Sequence, residues 1–135
     1  MNRMIMRFAR ICRANYAKAY LHCADLCGAT AVCADFTRAQ MQRARLSSGR
    51  FNGASFRHAK LARAECVGGV FYDADFSYAV LDGANLTGAD LRRAKLDHAF
   101  TVGTDFTGAY READDTAVDG WSVVGGRMYP AAVYP

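Results

Sequence analysis

The chain has 135 residues, of which 52% are apolar and 22% are charged, which indicates one compact domain and rules out an intrinsically disordered tail. The formal net charge of +4 is too small to indicate a nucleic-acid or membrane-surface protein by itself. No apolar run reaches the roughly 18 residues that a membrane-spanning helix requires, so we expect a soluble protein.

The charges are divided unevenly along the chain. Residues 1–64 carry twelve basic and two acidic side chains, a net charge of +10, whereas residues 65–135 carry five basic and eleven acidic ones, a net charge of −6. Opposite charges in the two halves favour a head-to-tail contact between two copies, and salt would weaken such a contact. A homo-oligomer is therefore one interpretation of the sequence.

The first twenty residues are rich in arginine, which raises the question of a targeting signal. Arg3, Arg7, Arg10 and Arg13 interrupt every apolar stretch, which argues against a secretory signal. An organellar presequence is harder to exclude from composition, but from Ala9 onward the segment follows the repeat described next. Five cysteines, an odd number, fit a reducing cytoplasm better than a disulfide framework, so we expect a cytoplasmic protein.

A five-residue repeat dominates the sequence. From Ala9 to Ala109 in steps of five, eighteen of twenty-one positions are alanine, and from Ile11 to Phe106 seventeen of twenty are large and apolar. This period fits neither a helix nor an alternating strand. We expect each pentapeptide to make one short extended side and one corner, so that four close a coil of about twenty residues with both apolar positions inside.

The corners have a sequence signature of their own. One place before the large residue, short polar side chains such as Asp25, Asp75 and Asn85 are placed to bond the nearby backbone. Between Thr30 and Val70 other residue types hold this position, which predicts a less regular middle or a surface in use. Seven glycines lie two places after the large residue, where a type II turn favours a positive φ: Gly28, Gly53, Gly68, Gly83, Gly88, Gly103 and Gly108.

Segments such as Ala24-Asp25-Leu26, Ala84-Asn85-Leu86 and Ala89-Asp90-Leu91 resemble the A(D/N)LXX signature of the pentapeptide-repeat family. The resemblance covers residues 4–113 and implies an all-β fold, a right-handed quadrilateral β-helix (a solenoid) of about five coils. The handedness comes from the resemblance alone. We expect residues 1–8 to form a short N-terminal cap, residues 9–113 the β-helix, and residues 114–135 a tail outside the repeat.

Residues twenty apart are expected to stack directly above one another inside such a coil. The predicted core ladders are Phe36, Phe56 and Phe76; Phe51 and Phe71; and Leu26, Leu46, Cys66 and Leu86. The tail contains Trp121, Met128, Tyr129 and Tyr134, and we expect these side chains either to cap the end of the rod or to form a dimer contact.

One cluster combines metal-ligand residue types: His22, Cys23, Cys27 and Cys33, with Cys12 nearby. The CxxC spacing of many zinc sites is absent, and scattered outward thiols explain the cluster without a metal. We find no serine, histidine and carboxylate set that the coil brings together, and the glycines mark turns and not a phosphate loop. We therefore expect no catalytic residues, no cofactor and no enzymatic activity.

Seven basic residues occur in the central coils with no acid between them. They predict a positive surface for a protein partner or for a polyanion such as nucleic acid or anionic lipid, with Tyr78 as a stacking surface. The alternative is an ordinary solvated face. The seven are Arg38, Arg43, Arg45, Arg50, Arg57, Lys60 and Arg63.

The sequence favours a non-enzymatic scaffold that presents a rigid surface to a protein partner of unknown identity. The resemblance adds a second hypothesis, because some family members imitate duplex DNA, bind DNA gyrase and thereby give fluoroquinolone protection. Such mimics are expected to be acidic over most of their surface, whereas residues 1–64 here carry +10. Polyanion or nucleic-acid binding through the central arginines is the third hypothesis.

Overall fold

The computed structural model describes residues 3–131, and residues 5–110 form a β-solenoid built from pentapeptides. Tyr134, predicted to take part in a cap or dimer contact, lies outside the described residues. Eighteen parallel bridges, from Ile5–Asp25 to Asp90–Tyr110, each join residues twenty positions apart within this range. Four pentapeptides therefore separate each bridged pair, and the ladder begins within the segment predicted as an N-terminal cap.

Each pentapeptide pairs its backbone with the coils on both sides. The N–H of Phe56 donates to the carbonyl of Asp75 in the next coil (2.7 Å), and the N–H of Lys60 donates to the carbonyl of Ala39 in the preceding coil (2.9 Å). The same pattern repeats every five residues. Because buried amides need partners, this ladder fixes the twenty-residue register together with the side chains inside.

Every corner from residue 8 to residue 108 has the hydrogen bond and positive φ that a type II turn requires. At one of them, the N–H of Ala59 donates to the carbonyl of Phe56 (3.0 Å), and His58 between them has a φ of 56°. The seven predicted corner glycines have φ values of 64° to 69°, as expected. The other fourteen corners hold non-glycine residues at 56° to 61°, so glycine is favoured but not required.

The short polar residues before the large apolar position bond the backbone as predicted. Asp75 accepts from the N–H of Ser77 (2.9 Å), and Asn85 accepts from the N–H of Thr87 (3.0 Å). The prediction of a less regular middle is wrong, since residues 40–65 keep the same bridges and corners. The backbone ladder and the inward side chains set the coil, and the aspartate or asparagine bond only adds to them.

Stacked aromatic rings fill the core. Phe36, Phe56 and Phe76 stack at centroid distances of 5.1 and 4.9 Å, and Phe51 stacks on Phe71 at 5.2 Å. Edge-to-face contacts join the two ladders, as between Phe51 and Phe56 (5.8 Å). All five rings and the third predicted ladder, Leu26, Leu46, Cys66 and Leu86, are at most 1% exposed.

The glycines in the alanine series have a packing reason. A Cβ at Gly49 would lie 2.4 Å from the ring of Phe51, and one at Gly69 would lie 2.6 Å from the ring of Phe71. Neither glycine has a positive φ, so the requirement is for space and not for backbone conformation. The small inward position therefore adjusts its size to the large one beside it.

A hairpin follows the solenoid. Strand β1 (Trp121–Val124) pairs antiparallel with strand β2 (Arg127–Pro130), and Arg127 forms an antiparallel bridge with Tyr110 of the last coil. The N–H of Met128 donates to the carbonyl of Ala109, and the N–H of Gly108 donates to the carbonyl of Met128, both at 2.8 Å. Strand β2 thus lies along the last coil. Within residues 3–131, no helix is long and apolar enough to cross a membrane.

The stacked core predicts a large difference between inward and outward phenylalanines. Replacing Phe56 by alanine leaves a cavity between two stacked rings, and we expect the free energy of unfolding to fall by about 3–5 kcal/mol. The matched control is Phe100→Ala, because Phe100 is 57% exposed, and its change is expected to stay within about 0.5 kcal/mol. Urea denaturation measures both, and equal losses would contradict the inward position of Phe56.

The corner geometry predicts opposite effects at two positions of one column. Gly68 has a φ of 64°, and a Cβ added there would have nothing within 4 Å, so Gly68→Ala costs only the left-handed strain, about 1 kcal/mol. Ser48, twenty residues earlier, has a φ of 57°, and Ser48→Gly is expected to stabilise the fold by up to about 1 kcal/mol. Thermal unfolding of the two variants checks this. Changes of the same sign would show that the corner φ does not control stability.

Candidate functional site

The seven basic residues predicted to form one patch lie on different sides of the solenoid. Arg50 and Lys60 are ten residues apart, half of a twenty-residue turn, and therefore lie on opposite sides. Arg45 is bonded to Asp25 (3.4 Å) and to Glu65 (3.5 Å). The prediction of one patch is wrong, because the coil distributes neighbours in sequence around its circumference.

Five of the seven still lie close together across neighbouring corners and the side between them. Arg38 and Arg57 lie at one corner, Lys60 on the following side, and Arg43 and Arg63 at the next corner. We call these five residues the basic side. All five are exposed, and in the described part of the chain only Arg57 among them forms an ion pair, with Asp75 at 3.1 Å.

Tyr78 does not offer a free ring face beside these residues. Its ring stacks between His58 (4.9 Å) and His98 (5.0 Å), twenty residues before and after it, and Arg57 lies 6.0 Å from its centroid. Both faces of the phenol are covered, so the predicted stacking surface for a nucleobase is wrong. The twenty-residue register that builds the core ladders also stacks these outward rings.

The cysteine and histidine cluster is not brought together. Cys23 and Cys33 are ten residues apart and lie on opposite sides of the coil. Among residues 3–131, no three of His22, Cys23, Cys27 and Cys33 place ligand atoms within 4.8 Å of one another, whereas Glu112, Asp114 and Asp115 do. Burial raises the pKa of the Cys27 thiol and raises that of Cys66 to about 12, so these two thiols stay protonated.

The buried carboxylate of Asp25 links three coils. Sequence analysis had assigned it only as an acceptor for a nearby backbone N–H. Asp25, 7% exposed at its side chain, lies 3.2 Å from Arg7 in the preceding coil and 3.4 Å from Arg45 in the next. Burial acts to raise the pKa of this carboxyl. The N–H of Cys27 and the guanidinium of Arg7 act in the opposite direction and outweigh burial, so the pKa lies below its usual value. The twenty-residue spacing of Asp25 and Arg45 in the sequence could have predicted this ion pair.

Arg111 closes the C-terminal end of the core. It follows Leu91 by twenty residues, at the position that holds a large apolar residue in earlier coils, and it is 2% exposed. Its guanidinium donates to the carbonyls of Leu91 (3.0 Å), Ala94 (2.9 Å) and Thr116 (2.7 Å) and lies 3.6 Å from Asp115. Burial lowers the pKa of Arg111. Sequence analysis missed this residue, because the apolar series ends at Phe106.

The predicted tail residues pack onto the same end. Met128 is 1% exposed, Trp121 meets Phe106 edge to face at 5.5 Å, and Tyr129 is half-buried in strand β2. Arg127 hydrogen-bonds the Tyr110 hydroxyl and lies 4.1 Å above that ring. These contacts cover the last coil with side chains and backbone of the same chain.

Comparison with known proteins is consistent with this repeat architecture. The sequence model of the family described as pentapeptide repeats matches in eight copies, over residues 19–57, 39–77 and 70–110. The chain belongs to the pentapeptide-repeat family. A search of curated proteins found no match.

The chain is also similar to several solved structures. A pentapeptide repeat protein from the Arabidopsis thaliana thylakoid lumen is 31% identical, with a TM-score of 0.66, over 70% of this chain and 66% of that chain. HetL, involved in heterocyst differentiation regulation in the cyanobacterium Nostoc sp. strain PCC 7120, is 22% identical with a TM-score of 0.42, over 87% and 65%. QnrB1, a plasmid-mediated fluoroquinolone resistance protein, is 19% identical with a TM-score of 0.45, over 81% and 68%.

The end contacts predict a large effect for one buried arginine. Arg111→Ala removes the guanidinium that donates to three backbone carbonyls and leaves Asp115 without its cation, so we expect a loss of about 3–5 kcal/mol in the free energy of unfolding. Hydrogen exchange at the amides of Gly108 and Met128 is expected to accelerate with it. Arg92→Ala is the control, because Arg92 pairs with Asp90 while 48% exposed. Equal effects of the two substitutions would contradict a closing role for Arg111.

Proposed function

We propose that this protein is a non-enzymatic scaffold that binds a protein partner through rigid outward columns of side chains. The observation that carries the proposal is the packed interior: ladders such as Phe36, Phe56 and Phe76 are at most 1% exposed, and the backbone ladder runs from Ile5 to Tyr110. Outward side chains twenty residues apart are thereby held at sheet spacing, about 4.8 Å. Such a surface is pre-organised, which reduces the entropy cost of binding a partner.

The basic side is the surface that we propose for this partner. Arg38, Arg43, Lys60 and Arg63 are exposed and have no ion-pair partner among the described residues, so their charges are available to an acidic protein surface. Complementary charge speeds encounter and selects among partners. We therefore expect the partner to present carboxylates at this contact.

The two other hypotheses receive less support. Gyrase binding by DNA mimicry needs a free acidic surface, whereas Asp25, Asp75 and Asp90 accept backbone N–H bonds and pair with arginines. Nucleic-acid binding gains from open aromatic faces, and those of Tyr78 are covered. Each of these two hypotheses is tested separately below.

The proposal also covers the shape of the solenoid, its boundaries and its cellular compartment. We propose a right-handed quadrilateral β-helix of about five coils, with residues 9–113 as the repeat region, residues 1–8 at its start and residues 114–135 as a C-terminal cap. The contacts of Trp121 and Met128 with the last coil support the cap over a dimer contact. Five free thiols fit a reducing cytoplasm.

Two charge reversals on opposite sides test the partner surface. Affinity capture with wild-type protein is expected to retain a protein partner, and Lys60→Glu or the double variant Arg43→Glu/Arg63→Glu is expected to reduce its recovery by about tenfold or more. Arg50→Glu changes the net charge by the same amount as Lys60→Glu on the opposite side, and it is expected to capture the partner normally. Equal recovery with all variants would contradict the basic side as the contact.

Two binding assays separate the alternative functions from the scaffold. Retention on heparin at physiological salt that Arg43→Glu/Arg63→Glu abolishes would replace the proposal with polyanion binding. Inhibition of gyrase supercoiling, or protection from a quinolone, at micromolar protein would replace it with DNA mimicry. The scaffold proposal predicts neither effect.

A further inference from the structure

The first coil of the solenoid leaves its outer backbone edge unpaired. In the described part of the chain, the N–H groups of Ile5, Arg10, Asn15 and Tyr20 donate no hydrogen bond. In every later coil the corresponding N–H donates to the coil before it, as Asp25 does to the carbonyl of Met4 (2.9 Å). An unpaired edge of this kind is a template for a further strand.

This open end is also apolar and basic. Met4, Ile5, Phe8 and Tyr20 are 47%, 72%, 71% and 81% exposed. The first twenty residues carry four arginines and one lysine, and the chain has no acidic residue before Asp25. Large exposed apolar side chains grouped at one end, with charges around them, are typical of an interaction surface.

The opposite end has the complementary features. Strand β2 lies on the last coil, and strand β1 has β2 as its one strand neighbour in residues 3–131. Val123 and Val124 of β1 are 45% and 43% exposed. Acidic side chains lie in the segment before the hairpin: Glu112, Asp114 and Asp119, beside Asp115, which is already paired with Arg111.

We propose that the protein assembles head to tail, with the open first coil of one copy seated on the strand β1 end of a second copy. Each property of one end has its counterpart on the other: apolar side chains meet apolar side chains, a basic rim meets an acidic segment, and one strand edge meets another. A two-fold contact between two open ends would instead bring together two like-charged surfaces, each with Arg10, Arg13 and Lys18. This inference goes beyond the scaffold role, because it concerns how copies join and not which partner they bind.

A head-to-tail contact is heterologous, and because it joins the two opposite ends of a rod, we expect open chains of copies and not a closed pair. Sedimentation velocity of the wild-type protein is therefore expected to show a mean mass that keeps rising with concentration. Raising the salt from about 0.1 M to about 1 M shortens the Debye length from about 10 Å to about 3 Å and is expected to weaken the association by about tenfold or more. A mass that stays monomeric under both conditions would overturn the proposal.

Blocking one end at a time gives the sharpest test. Ile5→Lys blocks the open coil and Val123→Lys blocks the hairpin end, and both residues are exposed enough that folding, checked by thermal unfolding, is expected to survive. Each variant alone is expected to be monomeric. An equimolar mixture is expected to form a 1:1 dimer that grows no further, because each copy retains one intact end. Dimers of Val123→Lys alone would assign the contact to two open coils and overturn the proposal.

A pair of charge reversals in one column controls for net charge. Arg10→Glu lies at the open end, and Arg50→Glu lies two coils further along the same side with the same charge change. Only Arg10→Glu is expected to weaken assembly. If the wild type remains monomeric and binds anionic phospholipid vesicles through Phe8, judged by loss of binding in Phe8→Gly, the open end is a lipid contact and the proposal is wrong.

Discussion

Each pentapeptide must place one small and one large side chain inside the same narrow coil while pairing its backbone with residues twenty positions away. Phe56 shows both requirements, because its ring lies between Phe36 and Phe76 and its N–H donates to the carbonyl of Asp75. A larger residue at the alanine position would overpack the interior, and even alanine gives way to glycine beside Phe51 and Phe71. The corners, the ladders and the outward columns all follow from this constraint.

The features that repeat with the period were predictable from the sequence. The glycine positions identified the corners with positive φ, and counting by twenty identified the core ladders, since both depend on local conformation and on one register. The Arg50 and Lys60 positions show where the interpretation failed: neighbours in sequence were treated as neighbours in space, although ten residues separate opposite sides. The prediction of a stacking surface at Tyr78 was wrong for a related reason, because the outward rings twenty residues apart stack as tightly as the rings of the core do.

The features outside the period needed coordinates. Arg111 continues the column of Leu91, and an arginine at an inward position was a visible signal of an end. Its three carbonyl acceptors depend on how the chain turns after the last coil, which the repeat does not specify. The pairing of strand β2 with Tyr110 likewise joins two segments that share no pattern. Within residues 3–131, the two ends of the solenoid therefore differ in kind: one is closed by the chain itself, and the other exposes the edge of its first coil.

The twenty-residue register is the central claim, and cysteine cross-linking tests it most directly. Two double variants are compared in a chain whose native cysteines are replaced. The first combines Ser47→Cys with Val67→Cys, two positions in one outward column of adjacent coils. The second combines Ser47→Cys with Arg57→Cys, two positions on opposite sides. A disulfide requires Cα atoms about 4.4–6.8 Å apart. Under mild oxidation the first pair is expected to form an intramolecular disulfide in the folded protein and the second is not. Cross-linking of the second pair in preference to the first would contradict the fold and every surface assigned from it.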